Sequence, residues 1–198
     1  MTAMSPSETT RPDLARLRAL TFQYRGAIWT LLFVLILLLA KPSVCRAWTG
    51  GVLVVLGQLL RIWGAGCIRL YRGEKVKAVQ LTTWGPYSIV RNPLYVANGI
   101  MGLGWALMAG WAAVVVFLAA FVGVYVLLIV PHEELFLKAR FGAQYDAYCK
   151  KVKAFIPRLP SLQELSGPWS FDVIGTSEIH TMISTVIATV LILSRLYW

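Results

Sequence analysis

At 198 residues, 58% of them hydrophobic and only 14% charged, the chain is too apolar for an ordinary water-soluble domain. The formal charge of +10 calls for an anionic partner, but Lys and Arg fall between long apolar runs rather than along a soluble face. That argues against nucleic acid and for membrane lipid headgroups. Cys45, Cys67 and Cys149 form no C-x-x-C pair, and His132 and His180 are the only histidines, so neither a disulfide framework nor a metal site is expected.

The N-terminal arm, residues 1–25, carries Arg11, Arg18 and Arg25 at seven-residue spacing, with Leu14, Leu17, Leu20 and Tyr24 on the other side of a helix. It reads as an interfacial helix, with Pro12 tolerated in its first turn. A retained first span follows from about Gly26 to Ala40, short by the twenty-residue rule and completed by Phe22 and Tyr24. Span two runs from about Ala47 to Ile68, closing the 26–68 pair, with Gly50, Gly51, Gly57, Gly64 and Gly66 as small packing faces.

The stretch from Pro93 to Val130 is too long for one crossing and predicts a helical hairpin turning at Ala109-Gly110. Asn92-Pro93 reads as its N-cap and first helical residue. Residues 159–198 form a connector and a last span from about Ile179 to Leu196, with Tyr197 and Trp198 as interface anchors. The expected fold is an all-α integral membrane protein of about five transmembrane helices.

Lys and Arg are retained on the cytoplasmic side of short loops. Arg11, Arg16, Arg18 and Arg25 mark the N-terminal arm; Arg69, Arg72, Lys75, Lys77 and Arg91 the 69–92 segment; Lys138, Arg140, Lys150, Lys151, Lys153 and Arg158 the 131–178 segment. The opposite side has Lys41, Arg46 and the terminal Arg195. The three basic segments are therefore expected on one cytoplasmic face, where most of the chemically capable residues also lie.

Three motifs stand out there. Gly85-Pro86-Tyr87-Ser88-Ile89-Val90-Arg91-Asn92-Pro93-Leu94-Tyr95 is a Gly-Pro turn leading into a helix N-terminus, able to hold a carboxylate or a planar ring; a plain re-entry turn with interfacial aromatics is the alternative. Glu133-Glu134 after Pro131 can accept hydrogen bonds from ribose hydroxyls or an ammonium group, or can simply begin a helix whose dipole favours acids. Phe141, Tyr145, Tyr148 and Val152 share one helical face and read mainly as packing.

Taken in order, G-P-Y-x-x-V-R-N-P-x-Y, an apolar hairpin, E-E-x-x-L-x-x-x-F-G-x-x-Y-x-x-Y and a closing Ile156-Pro157 resemble the isoprenylcysteine carboxyl methyltransferase and phospholipid methyltransferase superfamily. The resemblance covers about Gly57 to Pro157. It implies a methyltransferase-like region at 69–158 containing the hairpin 93–130, and an S-adenosylmethionine pocket at the cytoplasmic face. Tyr87, Arg91, Asn92, Pro93, Tyr95, Glu133 and Glu134 would line that pocket. Gly64 and Gly66, in Gly64-Ala65-Gly66, resemble a glycine pair that contacts the cofactor in phospholipid methyltransferases; helix packing by small residues is the other reading. The substrate implied is a lipophilic small molecule or a lipid-modified group entering from the bilayer. Asn92 stands where His is commoner and Ala97 where Gly is usual, so a proton-transfer role at 92 is not expected.

Methyl transfer from a sulfonium is an in-line displacement that requires alignment and exclusion of water. A carboxylate acceptor needs no base, as in isoprenylcysteine carboxyl O-methylation; an amine or thiol would draw on His132, Glu133 or Glu134. Arg61 inside span two costs about 2.5–3.5 kcal/mol on insertion scales and so calls for a partner. It is expected, with Arg91, to serve catalysis by meeting a substrate anion, the alternative being an Arg that snorkels to the interface. An amine N-methyltransferase and a non-catalytic membrane scaffold are the competing functions.

Overall fold

In lipid a backbone must satisfy its own polar groups, and this chain does so with helices. The computed structural model describes residues 12–68, 80–172 and 174–197. In chain order these form α1 (Pro12–Gln23), α2 (Arg25–Leu39), α3 (Val44–Gly66), α4 (Pro93–Ala109), α5 (Trp111–Phe121), α6 (Val130–Phe141), α7 (Ala143–Lys151), α8 (Leu162–Leu165) and α9 (Ile179–Ser194), with no strand among the described residues. The protein is an all-α integral membrane protein. Arg11, Arg69, Arg72, Lys75, Lys77 and Trp198, used above for topology and anchoring, lie outside the described residues.

All five apolar segments expected as spans are helical, but they do not all have the length to cross alone. Val44–Gly66, Trp111–Phe141 and Ile179–Tyr197 are long and apolar enough, and the bent pair α1–α2 makes a fourth if counted as one span. The 17-residue α4 is shorter, about 25 Å at 1.5 Å per residue. The chain turns by 70° between α1, which holds Phe22, and α2, so the two helices do not form one straight first span. Phe22 instead packs against His132, ring centroids 5.3 Å apart, and carries the Arg25 guanidinium over its face at 4.3 Å.

The hairpin turns where expected: Gly110 adopts φ 131°, which a side chain would oppose, and separates α4 from α5. The second arm then departs from expectation. It does not stop at Val130, since α5, a π-helical segment Val122–Ile129 and α6 form one 31-residue helix, Trp111–Phe141. The Val130 N–H reaches back five residues to the Tyr125 carbonyl. This widened turn precedes Pro131, whose ring would crowd the carbonyl four residues back in a regular helix. Glu133 and Glu134 therefore sit inside a continuous helix, and the dipole of a new helix N-terminus does not account for them.

α3 and α4 pack along a glycine seam. A Cβ on Gly104 would lie 2.6 Å from the Gly50 carbonyl oxygen, and one on Gly57 would lie 2.9 Å from that of Ala97. Gly51 is not part of the seam, its nearest atom being Met108 Cε at 3.8 Å. Near the hairpin turn, Ile36, Ala40, Val54, Ala106, Met108, Ala113, Phe117 and Ile192 form the apolar core. At the other end of the helices, polar and aromatic groups replace it.

Candidate active site at the polar end of the bundle

Gly85–Ser88 forms a 3-10 turn, with Gly85 at φ 60° and the Ser88 hydroxyl donating to the Gly85 carbonyl at 2.6 Å. The strip that follows is laced to the end of α7 and the chain beyond it. The Arg91 N–H donates to Lys153 O at 2.9 Å, the Arg158 N–H to Ile89 O at 3.1 Å, and the Tyr148 hydroxyl to Tyr87 O at 2.7 Å. Tyr145, Tyr148 and Val152 pack with Leu81 and Phe141, so the aromatic stripe is a packing element as expected. Burial pushes the Tyr145 and Tyr148 hydroxyls above the usual phenol range.

Arg91 joins three elements. Its Nη2 donates to Glu134 Oε1 at 2.6 Å and its Nε to the same oxygen at 3.2 Å, while Nη1 donates to Val152 O at 2.7 Å. Pro93 is the buried first residue of α4, but Asn92 does not cap that helix with its side chain; its Nδ2 donates to Ala154 O at 3.4 Å. One turn into α4, the Tyr95 hydroxyl interacts with Glu133. The Arg91–Tyr95 strip and the Glu133-Glu134 pair, 43 residues apart at Arg91 and Glu134, thus meet at one end of the bundle.

Arg61 does not snorkel. It is 9% exposed, donating from Nε to Glu178 Oε2 at 2.7 Å, from Nη2 to Glu178 Oε1 at 3.4 Å and from Nη1 to Asn98 Oδ1 at 2.6 Å. The anion facing it here is the protein's own carboxylate. Asn98 Nδ2 donates to the Tyr125 hydroxyl at 3.1 Å, and the Tyr125 ring lies 4.8 Å from Tyr95 and stacks on Trp29 at 4.5 Å. A polar and aromatic line therefore runs from α9 through α3 and α4 to the π turn. Sequence reasoning missed Glu178, Asn98 and Tyr125. The available signal was that a buried Arg needs an acid, and Glu178 stands at the start of the last apolar helix.

Gly64 and Gly66 have protein neighbours. A Cβ on Gly64 would meet Leu94 Cδ2 at 3.1 Å, and one on Gly66 would collide with the Trp169 indole. A strap through Gly167-Pro168-Trp169-Ser170 lies over this end of α3. Trp169 Nε1 donates to Trp63 O at 3.2 Å, Ser170 N–H to Gly66 O at 3.0 Å, and Trp84 Nε1 to Pro168 O at 3.0 Å. Beside it, Arg158 and Lys151 hold the Glu164 carboxyl well below the usual carboxylate range.

The chain is 34% identical over 163 residues to the cobalt-zinc-cadmium resistance protein CzcN of Cupriavidus metallidurans, covering 76% of this chain and 71% of that protein. It is 28% identical over 113 residues to protein-S-isoprenylcysteine O-methyltransferase B of Arabidopsis thaliana, covering 54% of this chain and 57% of the relative. It is also 35% identical over 89 residues to methanethiol S-methyltransferase 2 of Bradyrhizobium diazoefficiens, covering 45% and 33%. No solved structure matches the chain. The phospholipid methyltransferase family profile matches residues 45–144, which contain α3, the Gly-Pro turn, the whole hairpin and Glu133-Glu134, and the chain accordingly belongs to the phospholipid methyltransferase family.

Proposed function

We propose that the protein transfers a methyl group from S-adenosylmethionine to a lipophilic acceptor at the cytoplasmic face of the membrane. The observation that carries this reading is the meeting of Arg91 with Glu134 and of Tyr95 with Glu133 at one end of the bundle, inside the segment shared with the family.

The residues fit the cofactor in chemistry. Glu133 and Glu134 accept hydrogen bonds from hydroxyls or an ammonium, Arg91 and the Asn92 amide donate to a carboxylate, and the Tyr95 and Tyr125 faces favour a cation. Pro93 opens α4, and Tyr87 stands in the turn before it, its carbonyl accepting from the Tyr148 hydroxyl. Gly64 and Gly66 are the least supported members of the set, because Leu94 and Trp169 cover them. The cofactor, when bound, supplies a methyl carbon made electrophilic by its sulfonium.

The chain's own part is to bind, orient and exclude water. Arg61 is buried yet one to two turns from the end of α3, placed to meet an acceptor that enters from lipid between α3, α4 and α9. A carboxylate acceptor would arrive ionised and need no base. For a thiol or amine, the acids at hand are Glu134, paired with Arg91, and Glu133, which meets the Tyr95 hydroxyl, with His132 beside them in sequence.

The test is methyl transfer by purified full-length protein from labelled S-adenosylmethionine to three acceptors: an S-farnesylcysteine analogue with a free carboxylate, phosphatidylethanolamine, and a long-chain alkanethiol. Label in one product supports the reading and names the acceptor atom. Binding of S-adenosylhomocysteine without transfer to any of them would reject this acceptor class, and absence of both would reduce the chain to a scaffold.

A further inference from the structure

We propose that Glu178, the residue immediately before α9, is a positioning residue for methyl transfer, acting by fixing the plane of the Arg61 guanidinium. The inference rests on the methyltransferase reading and extends it to a helix that lies outside residues 45–144.

A guanidinium is planar and presents its donors in a rigid fork, so gripping one edge decides where the remaining nitrogen points. Glu178 holds the Nε edge at 2.7 Å, with Nη2 at 3.4 Å from its second oxygen, and its own side chain is fully buried. Nη1 is thereby directed at Asn98 Oδ1, 2.6 Å away on α4. Asn98 in turn donates to Tyr125, whose ring contacts Tyr95, beside Glu133. Rotation of the guanidinium would thus turn Nη1 away from Asn98 and misdirect the donors that Arg61 is proposed to offer an acceptor. With only the long, flexible side chain of Arg61 to orient it, this alignment would be lost.

The docking of α9 suits delivery of one carboxylate more than bulk packing. Of the residues of α9, only Thr185, Ala188 and Ile192 are buried. It is registered by polar hooks on one face: Thr185 Oγ1 donates to Gln58 Oε1 at 3.0 Å, and Thr189 Oγ1 accepts from Trp105 Nε1 at 3.0 Å. Glu178, Thr185, Thr189 and the buried Ile192 recur at intervals of seven, four and three residues, the spacing of a single helical face. Steric fit fixes this face loosely; hydrogen bonds at defined heights set its register.

The experiment uses full-length protein in lipid nanodiscs with the best acceptor of the panel above. It compares wild type, Glu178→Gln, Glu178→Asp and the charge-exchanged pair Arg61→Glu with Glu178→Arg. Turnover, acceptor KM, S-adenosylhomocysteine affinity and thermal midpoint are read for each. The expected result is a fall in kcat of at least tenfold in Glu178→Gln, with cofactor affinity and acceptor KM within about twofold, and partial recovery in Glu178→Asp. The exchanged pair should regain thermal stability but not turnover, since it removes the Arg61 guanidinium; the partial recovery of kcat in a folded Glu178→Asp is what separates positioning from mere pairing, and it keeps the test decisive if Glu178→Gln folds poorly. Retained kcat in Glu178→Gln, or restored turnover in the exchanged pair, overturns the proposal. A wild-type protein that binds the cofactor yet methylates no panel member defeats the acceptor reading and this inference with it.

Discussion

Gly104→Ala tests the seam that brings α3 against α4. The added Cβ would stand 2.6 Å from the Gly50 carbonyl oxygen and 3.0 Å from the Val54 backbone nitrogen, where ordinary contact begins at 3.4 Å, so the helices must part by about 0.8 Å. The obstacle is backbone and cannot rotate away. Overpacking of this kind costs roughly 1–3 kcal/mol, while Ala in place of a helical Gly returns about 0.5–1 kcal/mol. The net is a loss of up to about 2.5 kcal/mol, roughly 1 kcal/mol at mid-range. Gly51→Ala is the internal control: the nearest atom to its Cβ is the flexible end of Met108 at 3.8 Å, so only the propensity gain of about 0.5–1 kcal/mol should appear. Thermal unfolding in detergent should therefore separate the variants by an order of 5 °C, with Gly104→Ala below wild type and Gly51→Ala at or above it. S-adenosylhomocysteine affinity should survive in both, because Gly104 lies toward the hairpin turn and away from Arg91. Equal midpoints for the two variants would refute the close approach of the helices.

Further outcomes follow from the polar end. Glu134→Gln should destabilise the protein by about 1–3 kcal/mol, because it removes a charged acceptor from a mostly buried Arg91; an unchanged midpoint would count against the clamp. Gly66→Ala should displace Trp169, shifting tryptophan emission to the red and speeding proteolysis within the strap, whereas an unaltered spectrum would contradict the packing seen there. The folded Glu164 carboxyl lies below its unfolded value of 4.5, so its ion pairs contribute fully above that pH and are lost as the pH falls toward the folded value. The protection of the Glu164 amide from hydrogen exchange, taken against the intrinsic rate at each pH, should fall only on acidification below about pH 4.5, and a fall already at pH 6 would point to another group. Cys45 is exposed at the start of α3 and Cys149 is half-buried on α7, at opposite ends of the bundle. An impermeant maleimide should reach them from opposite sides of sealed vesicles, and labelling from one side would contradict a membrane-spanning α3.

Much of this was legible because lipid leaves the sequence few options. Apolar runs gave the helices, Gly110 the hairpin turn, and the 3.6-residue spacing of Phe141, Tyr145, Tyr148 and Val152 the packed face. Composition could not tell where a helix continues. Pro131 followed by two acids has the look of a new start, and only the π turn at Val122–Ile129 shows how the chain absorbs the proline without stopping. The bend at Tyr24 was hidden for a related reason, since apolar residues on both sides of a corner read as one run. Within the site, the family resemblance led to Arg91 and Glu134 being expected in one pocket, but not to their direct pairing. The partner of Arg61 lies 117 residues away in a helix whose pattern advertises only its membrane-facing side, and that contact is set by tertiary packing.

Cofactor binding tests the central claim most directly. Purified full-length protein titrated with S-adenosylhomocysteine should bind one equivalent saturably, and Glu133→Gln and Arg91→Met should weaken that binding by tenfold or more while remaining folded. Saturable binding that both variants retain at wild-type affinity would contradict the proposed site, and no binding by folded wild type would contradict the methyltransferase activity itself.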